Sequence, residues 1–157
     1  MNDGLLAELE EIPWFASLGE RVAHSANVRT IASWDDWPGP EDEGVMEIHS
    51  RQQSLYGSLL DSAKDKRGSA ERLWEDIHKV VFRLGSKAIP YEKDKDAWHA
   101  PTTALWQAAW TAGLVGVCRL LGQVVPDDIQ EQWEWYRRGH WPCALEERMG
   151  NKVLVIF

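Results

Sequence analysis

Cysteine is scarce in this chain. Cys118 and Cys143 are the only two in 157 residues, too few for a disulfide framework. Cys118 falls within an apolar helical pattern, where a buried, reduced thiol is expected. Basic residues are nearly missing from the first third. Residues 1–50 set only Arg21 and Arg29 against eleven acidic residues, a net −9, while 51–157 balance at +1. The whole of the net charge of −8 thus comes from the N-terminal third. Such a field repels nucleic acid and phosphate-rich membranes, and it draws in basic surfaces.

A long hydrophobic run is also lacking. The most apolar stretch, Ala104 to Leu121, is interrupted by Gln107, Thr111 and Arg119. It is short for a membrane span and reads as a core helix. The N-terminus, Met-Asn-Asp-Gly-Leu-Leu-Ala-Glu, has neither the basic start nor the apolar stretch of a secretory signal. With so few cysteines, the expectation is a cytoplasmic protein with no membrane partner.

Motifs with a reaction attached are absent too. The histidines His24, His49, His78, His99 and His140 form no H-E-x-x-H or H-x-x-x-H pair. His140 and Cys143 make a lone H-x-x-C, whereas a zinc site needs three or four ligands. Cys143 with His140 and Glu146 or Glu147 is a poor triad. Residues that close along the chain rarely reach the required geometry, and Pro142 restricts the turn. The pairs Asp35/Asp36 and Asp127/Asp128 read as caps and solvated charge. No G-x-G-x-x-G or G-x-x-x-x-G-K-[ST] loop occurs, so nothing is built to cradle a phosphate. Arg137-Arg138 beside Trp135 and Trp141 could stack on a nucleotide, but the pair is isolated and suits a helix C-terminus. No catalytic residue, metal, cofactor or nucleic-acid partner is expected.

What the chain has in excess is tryptophan, ten residues in all. Tryptophan fills cores and anchors interfaces. The pattern of apolar residues predicts a mainly α fold: five or six helices in a single domain, 1–157, around a buried helix at 101–121. A short C-terminal strand or hairpin closes it. Asn2 or Asp3 caps a first helix carrying Leu5, Leu6 and Leu9, and Pro13 opens a second. Residues 28–34 fit either a strand or a helical turn, and 34–40 form a loop around Pro38-Gly-Pro40. A helical core spans 41–139. Within it, a helix from Pro40 stops at Gly68, an amphipathic one over 70–84 stops at Gly85, and Pro101 opens the central one. A last helix starts at Pro126, buries Ile129, Trp133 and Tyr136, and ends at Gly139. Residues 140–157 are extended. Lys152–Phe157 read as a buried strand, with 144–148 as a hairpin partner through Met149-Gly150-Asn151. Residues 89–96 form a charged connector.

The tryptophans then divide. Trp14, Trp74, Trp106, Trp110 and Trp133 lie on predicted apolar faces. Trp34, Trp37, Trp135 and Trp141 do not, and Trp98 fits either group. Trp34 and Trp37 flank two acids in the loop, and Glu41, Asp42 and Glu43 follow. Trp34, Asp35, Asp36, Trp37, Glu41, Asp42, Glu43, Trp135 and Trp141 are therefore the candidate partner-binding residues. Aromatic anchors among acids suit a protein partner with a basic surface.

In type (acidic, single-domain, cytoplasmic, without catalytic motifs) the chain is similar to small bacterial immunity proteins. That similarity implies a non-catalytic inhibitor that neutralises a cognate toxin by occluding its active site. It carries no residue roles. A phage-encoded inhibitor of a host defence complex has the same profile. A third reading is an enzyme or small-ligand protein whose pocket is lined by His99, Trp106, Trp110, Trp135, His140 and Trp141.

Overall fold

Apolar residues recurring every three to four positions make helices, and helix is the main content of the chain. The computed structural model describes residues 3–12, 28–30, 43–88, 99–140 and 142–156. Among the described residues are five α-helices: α1 (Asp3–Glu11), α2 (Glu43–Ser62), α3 (Arg67–Ala88), α4 (His99–Leu121) and α5 (Asp127–Arg137). Three short strands, β1 (Val28–Thr30), β2 (Pro142–Arg148) and β3 (Asn151–Ile156), run in the order β1-β3-β2. β3 pairs parallel with β1 and antiparallel with β2. Met149 and Gly150, with φ of 49° and 76°, form the two-residue turn between β2 and β3. Both signs match the primed turn that such a hairpin prefers. The expected helix at Pro13, the loop 34–40 and the connector 89–96 lie outside the described residues.

The four glycines predicted as helix stops divide evenly. Gly122 (φ 68°) and Gly139 (φ 80°) end α4 and α5. At each, the residue after the glycine reaches back: Gln123 N–H donates to the Cys118 carbonyl (2.9 Å) and His140 N–H to that of Trp135 (2.9 Å). These are Schellman closures, which need a left-handed residue that glycine supplies cheaply. Gly68 and Gly85 are corrections. α2 ends at Ser62, and a 3-10 turn over Lys64–Lys66 leads directly into α3. Lys64 itself takes the left-handed conformation, φ 49°, so Gly68 lies in the first turn of α3. Gly85 is inside α3, where a Cβ would come within 2.2 Å of Leu105 Cδ1. It serves close approach between α3 and α4, not termination.

The core is built where α3 and α4 meet. Leu73, Ile77 and Val81 of α3 are buried, as are Ala108, Ala109, Ala112, Val115 and Cys118 of α4. Small residues let the two backbones come near. A Cβ on Gly116 would lie 2.4 Å from Ile77 Cδ1 and 2.9 Å from Leu5 Cδ2. α5 adds Ile129, Trp133 and Tyr136, all buried, on the one face that their spacing predicts. Leu5 and Leu9 anchor α1 to this core. Outside it, Glu8 pairs with Arg119 (2.9 Å) and Glu10 with Arg83, bonds between exposed groups worth at most about 1 kcal/mol each. Cys118 is a free thiol whose pKa burial pushes up, so it stays protonated.

By length and composition alone, Ala104–Leu121 is long and apolar enough to cross a membrane, and 72% of it is buried against the rest of the chain. Trp106 is the exception on this helix. Its spacing with Trp110 predicts a packed residue, yet it is 50% exposed. Its indole meets the ring of Phe82 at a steep angle, with centroids 5.0 Å apart. A helix that is apolar on every side does not announce which residue faces out.

Candidate functional site

The largest concentration of polar-tipped aromatic groups among the described residues lies where α2, α3 and α4 meet. His49 and Tyr56 stand two turns apart on α2, so they share a face. Trp74 and His78 are one turn apart on α3, and Trp110 comes from α4. The Tyr56 ring stacks on Trp74, with centroids 4.0 Å apart and planes at 25°. Trp110 turns its ring at a steep angle to all of its neighbours. Its centroid is 4.7 Å from Trp74, 5.1 Å from His49, 6.1 Å from Tyr56 and 6.2 Å from His78. Edge-to-face and offset-stacked pairs of this kind add about 0.5–1.5 kcal/mol each beyond area burial. Glycine again makes the approach possible: a Cβ on Gly113 would sit 2.5 Å from Trp74 Cε3.

All five residues are half-buried, so the cluster has an inner, packed side and an outer, wet one. His78 Nδ1 donates to the Trp74 carbonyl (2.9 Å), because a carbonyl can only accept. Burial holds the pKa of His78 below its ordinary value, partly offset by that bond. The neutral ring keeps Nε2 as an acceptor. The Gln53 amide donates to His49 Nε2 (2.9 Å). Burial, and then the charges of Glu71 and Glu75, push the Tyr56 hydroxyl up. The arrangement therefore presents neutral hydrogen-bonding tips on aromatic bodies, a surface suited to binding.

A polar chain runs from the buried Gln52 and Thr111 to the half-buried Gln132. Gln52 Nε2 donates to Thr111 Oγ1 (3.3 Å), and Thr111 Oγ1 donates to Gln132 Oε1 (3.1 Å). It links α2, α4 and α5. Gln52 Oε1, Gln107 Oε1 and Trp133 Nε1 are buried with no partner among the described residues, each at a cost of about 1–3 kcal/mol. Further along, Arg51 grips both carboxylate oxygens of Asp128, one at 2.8 Å. That contact holds the Asp128 carboxyl below the usual carboxylate range. Among the described residues, no group of three His, Cys, Asp or Glu side chains could hold a metal ion.

Most of the partner-binding residues predicted from sequence are not among the described ones. Trp34, Asp35, Asp36, Trp37, Glu41, Asp42 and Trp141 lie outside the described residues, and Glu43 is the first residue of α2. Trp135 is half-buried, with its ring 6.5 Å from that of the buried His140. The six-residue pocket read from sequence is divided. Trp110 joins the α2–α3 cluster, Trp106 stands apart on Phe82, and Trp135 and His140 form a pair at the end of α5. His49, Tyr56 and His78 were not singled out by sequence reasoning. Their signal was the helical spacing to one another and to Trp74, visible only once each helix's inner face is known.

No protein-family model, curated protein or solved structure matches the chain.

Proposed function

We propose that this protein is a non-catalytic inhibitor that binds a basic protein partner and occludes its active site, as a cytoplasmic immunity protein does to its cognate toxin. The observation that carries the reading is the placement of charge. Glu8 and Glu10 are engaged by Arg119 and Arg83. What remains is concentrated in residues 31–50, which hold six acidic residues and no lysine or arginine. Trp34 and Trp37 lie within that stretch. In this reading they anchor the contact while the acids steer encounter. The platform is a single-domain bundle organised around helix 101–121 and closed by the C-terminal segment 140–157. A phage-encoded inhibitor of a host defence complex would use the same surface.

Affinity capture with the whole chain from its native host tests this. The expected catch is one stoichiometric basic protein whose association slows about tenfold or more between low and physiological salt. Replacing Asp35 and Asp36 together by Asn should slow association further, and Trp34→Ala should speed dissociation. A partner bound with no dependence on salt or on these residues would sink the proposal.

The second reading, a small-ligand protein, is favoured by one observation: the half-exposed ring cluster about Trp110. A saturable change in tryptophan fluorescence with a small aromatic molecule, lost in Trp110→Phe, would support it over the first.

A further inference from the structure

Between α1, the start of α3 and the end of α4 the structure holds a cavity of about 510 Å³. That is within the roughly 300–1,000 Å³ typical of small-molecule sites. Its chemistry is two-sided. Leu5, Leu73 and Leu120 line it with hydrocarbon, and Gly116 contributes bare backbone. Polar groups occupy the rest: Lys66, Ser69, Glu8 and Arg119. Two cations against one acid give this lining a charge of +1, in a chain whose net charge is −8.

The charges are not equivalent. Arg119 already holds a carboxylate, that of Glu8, through both terminal nitrogens (2.9 and 3.5 Å). Lys66 is exposed and makes no ion pair among the described residues. It stands at the cavity with the Ser69 hydroxyl. Gly4 also lines the cavity, and a Cβ placed on it would meet nothing within 4 Å. A side chain at position 4 thus has room to grow at the cavity's edge.

We propose that this cavity binds a small carboxylate with a short apolar tail. The tail lies against Leu5, Leu73 and Leu120, and the carboxylate accepts from Lys66 and Ser69. Glu8 limits the affinity, because it occupies Arg119 and repels a second anion. The site shares no lining residue with the ring cluster about Trp110 or with the acidic stretch 31–50, and it does not depend on the reading of either.

Calorimetric titration of the full chain with octanoate, 1-octanol and octylamine tests this. Octanoate should bind with one site and about tenfold more tightly than the alcohol, with the amine weakest. Lys66→Gln, on an exposed turn, should reduce octanoate to the alcohol's affinity. Glu8→Gln should instead tighten octanoate several-fold, a gain that loss of folding cannot imitate. Gly4→Leu fills open space and favours the helix, and it should abolish binding of all three while the thermal melt stays intact. Equal affinity for octanoate and octanol, no binding at millimolar octanoate, or unchanged binding in Gly4→Leu would each overturn the proposal.

Discussion

α3 and α4 run beside each other at 22 and 23 residues, and they meet water in opposite ways. α3 divides cleanly. Leu73, Ile77 and Val81 face inward, while Glu71, Arg72, Glu75, Asp76, Lys79 and Arg83 are exposed. α4 has no such division: every residue from Gln107 to Cys118 is buried except the half-buried Trp110. One helix keeps a wet side, and the other has almost none between Gln107 and Cys118. The difference teaches where tolerance resides. α3 can vary on one side at little cost, whereas on α4 almost any change between Gln107 and Cys118 meets a neighbour.

The contrast can be broken most directly with Leu114, which is fully buried on α4. Leu114→Ala should cost about 2–5 kcal/mol in urea unfolding, while Glu75→Ala on the outer side of α3 should stay within about 0.5 kcal/mol. Comparable losses at the two positions would erase the distinction. A smaller effect is expected at the seam between them. Gly113→Ala forces the Trp74 indole to move and should cost about 1–3 kcal/mol, with a change in near-ultraviolet circular dichroism as the ring cluster is reset. The smallest effect concerns pH. Burial holds folded His78 below its ordinary pKa of 6.5, so the unfolded chain takes up the proton first. The contribution is complete above 6.5 and declines as pH falls through that value toward the folded pKa. His78→Gln should flatten this part of the stability profile, and an unchanged slope would show that the ring is not held neutral by its site.

The same contrast explains how much was legible in the amino-acid order. α3 announced its inner face through spacing, because its outer face is charged. α5 did so as well, and Ile129, Trp133 and Tyr136 are buried together. α4 could be recognised as helix but not oriented, since apolar residues surround it, and Trp106 was misplaced for that reason. Glycine was ambiguous in a similar way. Gly122 and Gly139 stop helices through their backbone angle, whereas Gly85, Gly113 and Gly116 are there because a neighbour leaves no room for a Cβ. Nothing local distinguishes the two uses. The ring cluster and the cavity each draw on three helices, so no single stretch of sequence contained either. The acidic, tryptophan-flanked stretch was the reverse case. Its composition is plain in the sequence, and the ion pairs of Glu8 and Glu10 sharpen where its charge is concentrated.

The buried chain from Gln52 through Thr111 to Gln132 has a further consequence. A wall made of alanine and glycine tells an adjoining helix which side to meet, but says little about how far along to sit. Smooth surfaces slide. Hydrogen bonds do not, because a displacement of one turn would strand the buried Gln52 and Thr111 groups without a mate. The three polar residues act as a ruler laid across α2, α4 and α5, and they favour the one longitudinal alignment at which Tyr56 of α2 meets Trp110 of α4.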